Sequence, residues 1–151
     1  MNLDGQFQLA ASRQEVWDSL NDTRVLQNCI PGCESLEESS EHCFLATIRA
    51  KIGPINAMFK SEINLRDIIE PESYTLAVKS KGGAVGMGEG LARVSLTEHE
   101  GGTQLNYSVD FKVQGKLAQI GSRLINNVIK KLSNEFFDRF AENFDKQDMQ
   151  S

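Results

Sequence analysis

The sequence predicts an α+β fold in which a curved antiparallel sheet of about six to seven strands wraps around one long C-terminal helix. Two observations lead to this prediction. Apolar and polar residues alternate over residues 36–114, a period of two that is typical of strands with one buried face. Over residues 117–144 the apolar residues recur at helical spacing instead. A sheet this large must bury its apolar face, and this helix is the large apolar partner that the sequence offers.

A first strand and two short helices are predicted ahead of this sheet. Residues 3–10 alternate weakly between apolar and polar side chains, as a strand does. Ser12 and Glu15 form a capping box, in which each side chain can bond to the backbone N–H of the other, so a helix should follow Ser12. Asn21 or Asp22 can cap a second short helix, which Pro31-Gly32 would end.

Glycine and proline pairs divide the long alternating region into strands. Short turns of this kind join antiparallel neighbours, so we expect a meander rather than a parallel sheet. The turn signals are Gly53-Pro54, Pro71-Glu72-Ser73, Gly82-Gly83 and Gly101-Gly102, and Gly115 closes the sheet.

Length and composition are those of one globular domain. The chain has 151 residues, of which 40% are hydrophobic and 25% charged. No apolar run approaches the roughly 20 residues that span a bilayer, and residues 1–5 lack the features of a signal peptide, so we expect a cytoplasmic protein. The net charge of −5 disfavours binding to nucleic acid. We expect one domain over residues 1–151, with residues 144–151 as a frayed tail.

The three cysteines, Cys29, Cys33 and Cys43, are predicted to be free thiols. An odd number of cysteines in a chain without a signal peptide indicates reduced thiols. Cys29 and Cys33 have the spacing of a metal half-site, but tetrahedral zinc requires four ligands and the sequence offers only His42 and His99 in addition. We therefore predict no bound metal.

Small residues collect on the face of the sheet that is predicted to be buried. If Val94 and Leu96 set the phase of their strand, glycines at alternate positions from Gly86 also face inward. The helix either packs closely against these positions or leaves a hollow for an apolar ligand, and we expect the hollow. A β-bulge at one glycine would turn Met87 inward. The residues predicted to line the cavity are Trp17, Ile48, Ala57, Phe59, Ser61, Gly86, Met87, Gly88, Tyr107, Ile120, Leu124 and Val128.

The predicted inner face offers no catalytic constellation. It carries no His, Asp, Glu or Lys, whereas general acid–base catalysis needs a titratable group inside a cleft. Trp17 and Tyr107 also have a simple interpretation as core residues. The glycine-rich residues 82–90 are not followed by the helix that a phosphate-binding loop requires. We predict no catalytic residue and no covalently bound cofactor.

A set of short motifs is distributed over the whole chain. It consists of Val16-Trp17, Cys29-Ile30-Pro31-Gly32-Cys33, Ile52-Gly53-Pro54, the glycine strand up to Gly90, Thr103 and Gly115-x-Leu117-Ala118-x-x-Gly121. Together these motifs resemble the CoxG family of carbon monoxide dehydrogenase subunits, over about residues 3–144. The resemblance implies a START-like (SRPBCC) helix-grip fold with a hydrophobic cavity.

The resemblance also implies an accessory role beside a molybdenum hydroxylase of the carbon monoxide dehydrogenase type. In that role the protein would recruit the enzyme to the inner face of the membrane or pass its electrons to a lipid-soluble quinone. Many family members carry a long C-terminal extension with a membrane-seeking end. This chain stops soon after Phe144, which argues against anchoring by such a tail here.

Three functional hypotheses follow. The first is a binding module for a lipophilic molecule such as a quinone or a lipid, accessory to a molybdenum hydroxylase and in peripheral contact with the membrane. The second is an enzyme of the polyketide cyclase or hydrolase kind on the same fold. The third is a structural adaptor with a closed core. The lack of inward acids and bases favours the first hypothesis.

Overall fold

A seven-stranded antiparallel sheet and four helices make up residues 1–150. The structure is a computed structural model that describes the backbone of residues 1–150 and the side chains of residues 1–144. The strands are β1 (Asn2–Leu9), β2 (Cys33–Ser40), β3 (Cys43–Ile52), β4 (Ile55–Ile69), β5 (Ser73–Lys81), β6 (Met87–His99) and β7 (Gly102–Gln114). The helices are α1 (Arg13–Leu20), α2 (Thr23–Cys29), α3 (Lys116–Gln119) and α4 (Ser122–Gln150).

The strands lie in the order β1-β7-β6-β5-β4-β3-β2. Strands β2 to β7 therefore form a meander of consecutive hairpins, and β1 joins it beside β7. The predicted α+β helix-grip architecture is confirmed, with two short helices after β1 and a long helix at the C-terminus.

The β3–β4 hairpin shows how local sequence sets the sheet. Ile52 pairs with Ile55, so Gly53-Pro54 is a two-residue turn, and Gly53 takes a φ of 61° that glycine adopts without strain. The register continues from this turn without a shift and brings Ala46 opposite Ser61. Both residues are buried, so small side chains on the inner face are neighbours across the two strands.

Both short helices have the predicted N-caps, although of the predicted capping box only the half from Ser12 forms among the described residues. The Ser12 hydroxyl accepts a hydrogen bond from the Glu15 backbone N–H at 3.2 Å, and the Asp22 carboxylate accepts one from the Arg24 N–H at 2.9 Å. These bonds satisfy backbone donors that a helix N-terminus leaves free. Helix α1 buries Val16, Trp17 and Leu20, which anchor it to the core.

The second half of α4 fills the core with aromatic side chains. The rings of Phe137 and Phe7 stack with centroids 4.3 Å apart, and Phe140 has no exposed surface. Phe144 is 2% exposed and packs edge-on against Phe140 with centroids 5.2 Å apart. The rest of the tail predicted to fray lies outside the residues whose side chains are described.

The C-terminal helical region is interrupted, and the prediction of one continuous helix from Leu117 is wrong. Helix α3 ends at Gln119 and α4 begins at Ser122. Gly121 lies between them with a φ of 103°, a conformation that side chains other than glycine rarely adopt. The break resets the rotation of α4, so that Ile125 is 2% exposed while Leu124 is 39% exposed.

Thr103 fastens β7 to the segment that precedes α1. Its side chain is fully buried, and its hydroxyl donates to the carbonyl oxygen of Ala11 at 2.8 Å.

Thr103→Val keeps the shape of the side chain but leaves the buried carbonyl oxygen of Ala11 without its hydrogen-bond donor. We expect a loss of about 1–3 kcal/mol in the free energy of unfolding, measured by urea denaturation. Thr97→Val, at an exposed position of β6, is the control and should change it by less than about 0.5 kcal/mol. Equal effects of the two variants would contradict this role for Thr103.

Candidate functional site

An apolar cavity of about 280 Å³ lies between the sheet and the helices α3 and α4. Strands β3 to β7 all contribute to its floor, and Leu117 and Ile129 cover it from the helices. The cavity is partly open to solvent, and its volume is close to the lower end of the usual range for small-molecule sites, about 300–1,000 Å³. The helix therefore does not pack closely on the whole sheet.

Strand β6 creates much of this space because Gly88, Gly90 and Ala92 face inward. A Cβ atom at Gly88 would meet its nearest neighbour, Val113 Cγ1, at 3.6 Å, an ordinary contact. A Cβ atom at Gly90 would lie only 3.2 Å from the carbonyl oxygen of Asp110. Gly88 therefore borders free space, whereas the absence of a side chain at Gly90 lets β6 and β7 pack closely at that position.

The structure brings several of the predicted site residues together. Ile48, Phe59, Ser61 and Gly88 line the cavity. Ala57 and Ile120 lie in the apolar cluster around Phe59 that forms its walls.

Gly86 and Met87 do not line the cavity. Gly86 ends the turn Gly83–Val85 with a φ of 112°, and a Cβ atom there would overlap the carbonyl oxygen of Gln114. A residue without a side chain is needed here because the backbones at Gly86 and Gln114 approach each other closely. Met87 is the first residue of β6 and is 41% exposed on the opposite face from Gly88, so the alternative bulge that would turn it inward is also wrong.

Trp17 and Tyr107 belong to the core at the other end of the sheet. Trp17 packs edge-on against Tyr74, with ring centroids 5.4 Å apart. Tyr107 stacks with Phe137 at 5.5 Å, and burial raises the pKa of its hydroxyl. Both residues were predicted to line the cavity, but they pack in the core instead.

Leu124 and Val128 were predicted to line the cavity, but neither lies on the row of α4 that faces it. Leu124 lies over the β3–β4 turn, where its Cδ2 would be 2.9 Å from a Cβ atom at Gly53, and Val128 is half-buried. Ile129 takes the cavity-facing place instead. The sequence contained a signal for this shift, since Gly121 could have been interpreted as a helix break.

Sequence reasoning also missed Ser80 as a lining residue. The inward alternation of Tyr74, Leu76 and Val78, extended by one step, reaches Ser80. Ser80 pairs directly with Ser61 across β4 and β5, and the two hydroxyl oxygens are 2.6 Å apart.

Within residues 1–144, the charged residues that contribute to the lining have their side chains on the outer face of the sheet. Glu89 and Lys112 contribute to it from exposed positions on β6 and β7. They are paired across the strands, with Lys112 Nζ 3.8 Å from Glu89 Oε1. The interior surface that remains is apolar apart from the two serine hydroxyls.

A second apolar cavity, of about 180 Å³, lies between the sheet, α2 and the aromatic half of α4. Leu76 lines this cavity and Val78 lines the first one, on the same face of β5. On β4, Ile63 lines the second cavity and Ser61 lines the first. Because residues two apart on a strand face are neighbours, the two cavities lie end to end along the sheet.

The cysteines are free, as predicted. Cys29 is 2% exposed, and burial raises the pKa of its thiol; burial also raises the pKa of Cys33. At neutral pH both thiols therefore stay protonated, the form that is a poor nucleophile and a poor metal ligand. Among the described residues, no group of three His, Cys, Asp or Glu side chains is placed to hold a metal ion. His42 and His99 are exposed.

None of the helices described is both long enough and apolar enough to cross a bilayer.

Comparison with solved structures supports the fold. A conserved protein from Geobacillus kaustophilus is 33% identical, with a TM-score of 0.91, and the match covers 97% of this chain and 96% of that one. The Zhui aromatase/cyclase from Streptomyces sp. R1128 is 13% identical, with a TM-score of 0.71, over 97% of this chain and 94% of that one. Ara h 8.0201 is 14% identical, with a TM-score of 0.66, over 95% and 97% of the two chains. The last two likenesses are likenesses of fold alone.

Comparison with protein families covers nearly the whole chain. None of the curated proteins matches the sequence significantly. The CoxG family of carbon monoxide dehydrogenase subunits, in contrast, matches residues 5–144. That range contains strands β2 to β7, most of β1, and the cavity between the sheet and α4. The chain therefore belongs to the CoxG family of carbon monoxide dehydrogenase subunits and has the START-like helix-grip fold.

Proposed function

We propose that this protein is a binding module for an uncharged lipophilic molecule, such as a quinone, and that it serves a molybdenum hydroxylase of the carbon monoxide dehydrogenase type. The observation that carries the proposal is the open apolar cavity above Gly88 and Gly90. A closed structural adaptor would fill this space with side chains, whereas here it stays open.

The chemistry of the cavity selects an uncharged ligand. A charged group moved into an apolar site loses its hydration and needs a partner of opposite charge. The inward lining offers aliphatic and aromatic side chains and two hydroxyls, while Glu89 and Lys112 are already paired on the outer face. A ring system or a short chain suits a volume of about 280 Å³ better than a whole long-chain lipid does.

The charge around this end of the molecule supports contact with an anionic membrane surface. Three segments that supply cavity residues, 51–60, 81–90 and 112–123, contain six basic residues and one acidic residue. The chain as a whole carries a net charge of −5, so the basic residues are concentrated where the cavity lies. Each Lys or Arg near an anionic bilayer contributes about 1 kcal/mol of attraction. The basic residues are Lys51, Lys60, Lys81, Lys112, Lys116 and Arg123.

A binding role is favoured over catalysis by the same lining. An enzyme of the cyclase kind needs a group that donates or accepts protons within reach of the substrate. The likeness to the Streptomyces aromatase/cyclase is one of fold at 13% identity and carries no activity to this chain.

Uptake from vesicles tests this proposal directly. Purified protein is incubated with vesicles that contain a short-chain quinone, separated from them, and analysed by mass spectrometry. We expect the protein to carry the quinone, and to load faster from vesicles with phosphatidylglycerol than from neutral ones, because the basic end of the cavity attracts anionic lipid. This advantage should shrink as salt rises.

A surface variant controls for adsorption to exposed apolar patches. Leu91 is 49% exposed on the outer face of β6, and Leu91→Asn should leave quinone uptake unchanged. Two results would contradict the proposed function. One is recovery of the protein without quinone from both kinds of vesicle, and the other is quinone uptake that depends on Leu91.

A further inference from the structure

Among the side chains of residues 1–144, the pair of hydroxyls from Ser61 and Ser80 is the one polar feature inside the first cavity. Ser61 is 4% exposed on β4, and Ser80 lies directly opposite it on β5. Their hydroxyl oxygens are 2.6 Å apart, a short hydrogen bond, and both residues line the cavity. The positions beside them on the inner face, Ile63 and Val78, are apolar.

Two hydroxyls that bond only to each other leave one proton unused. Each serine has one donor and two acceptor sites, and the mutual bond takes a single proton. No other hydrogen bond to either hydroxyl occurs within the described side chains of residues 1–144. The free proton belongs to the serine that accepts the mutual bond, and accepting that bond polarises its own O–H into a stronger donor. A donor without a partner is unfavourable in an apolar cavity, so an acceptor from outside the protein, either solvent or a ligand, completes the site.

We propose that the Ser61–Ser80 pair is a specificity-determining anchor that donates a hydrogen bond to a carbonyl oxygen of an otherwise apolar ligand. This inference rests on the proposed function and narrows its ligand class to ketones, quinones or esters. A carboxylate is disfavoured because no cation faces the pair from within the part of the cavity formed by residues 1–144. A pure hydrocarbon would fill the space but leave the donor unsatisfied.

Two matched probes test this anchor, 2-acetylnaphthalene and 2-ethylnaphthalene. They have nearly the same shape and differ in one carbonyl group, so the comparison isolates the hydrogen bond. Affinities are measured by equilibrium dialysis for the unaltered protein and for the double variant Ser61→Ala with Ser80→Ala. We expect the double variant to bind the ketone about five- to tenfold more weakly and the hydrocarbon at least as well as before. The carbonyl stretching band of the bound ketone should also move to higher wavenumber in the variant.

Control variants separate the anchor from general effects. Ser108→Ala, at an exposed position of β7, should change neither affinity. Ser80→Thr keeps a hydroxyl and should retain the preference for the ketone. If the double variant does not fold, the single variant Ser80→Ala, at a less buried position, is measured instead. The remaining Ser61 hydroxyl keeps its proton but loses the partner that polarises it, so the preference for the ketone should shrink without disappearing.

The outcomes distinguish this inference from the proposed function. Equal weakening of both probes would mean that the serines only shape the cavity, and would overturn the anchor while leaving a binding role intact. An unchanged affinity for the ketone would overturn it as well. If the unaltered protein binds neither probe, the proposed function itself fails.

Discussion

A chain without residues 117–151 is expected to lose cooperative folding altogether. The deletion removes α3 and α4, and with them the buried side chains of Leu117, Ile125, Phe137 and Phe140. The inner face of the sheet would then be open to water along its length, an apolar patch far larger than the few hundred Å² that soluble monomers tolerate. We expect an insoluble product or a molten one that binds hydrophobic dyes and melts without a transition.

A single substitution provides the graded form of this test. Phe140 has no exposed surface and packs between Phe136 and Phe144, so Phe140→Ala should lower the free energy of unfolding by about 3–5 kcal/mol. The neighbouring Arg139 is exposed, and Arg139→Ala should change it by less than about 0.5 kcal/mol. Thermal and urea unfolding measure both variants. A soluble truncated chain with a cooperative transition would contradict the helix-grip packing described above.

Gly88→Val is expected to abolish ligand uptake while it leaves the fold intact. Gly88 has ordinary strand backbone, because its φ lies outside the left-handed region. A Cβ atom there meets Val113 at an ordinary contact distance, and the valine methyl groups would extend into the cavity of about 280 Å³. Valine also suits a strand better than glycine does. We expect quinone uptake to fall at least about tenfold, and the free energy of unfolding to change by less than about 1 kcal/mol.

Two neighbours on the same strand serve as controls for Gly88→Val. Met87→Val changes an outward-facing side chain and should affect neither uptake nor stability. Gly90→Val should reduce stability, since a Cβ atom at Gly90 already crowds the Asp110 carbonyl oxygen and the Cβ of Phe111 at 3.2 and 3.3 Å. If Gly88→Val is destabilised as much as Gly90→Val, or if it binds ligand normally, the cavity is not the binding site.

Local patterns were sufficient for the architecture. Alternation over residues 36–114 predicted the meander, and the capping residues Ser12 and Asp22 predicted where the short helices begin. These inferences succeed because they depend on interactions between residues close in sequence, namely turns, caps and the side-chain period of a strand. Part of the site followed from the same alternation, since Ile48, Phe59, Ser61 and Gly88 are inward positions on their strands.

The site residues that sequence reasoning misplaced depend on contacts between distant segments. Gly86 and Gly88 are both glycines at alternate positions, so the sequence pattern does not distinguish them. In the structure, the backbone at Gly86 closely approaches that of Gln114 on β7, whereas Gly88 borders the cavity. Trp17 and Tyr107 were predicted to line the cavity, but they pack at the end of the sheet where aromatic residues of α4 fill the space.

By itself, the sequence therefore determined the fold class, the order of the strands along the chain and the family, because periodicity and motifs act over a few residues. The tertiary structure alone decided which inward positions border empty space. That choice depends on how α4 lies across the sheet after the break at Gly121, with Ile129 rather than Val128 toward the cavity. It also depends on strand register, which places Ser61 and Ser80 in contact although 19 positions separate them in the chain. Cavities form where packing between elements is incomplete, and no local pattern encodes that incompleteness.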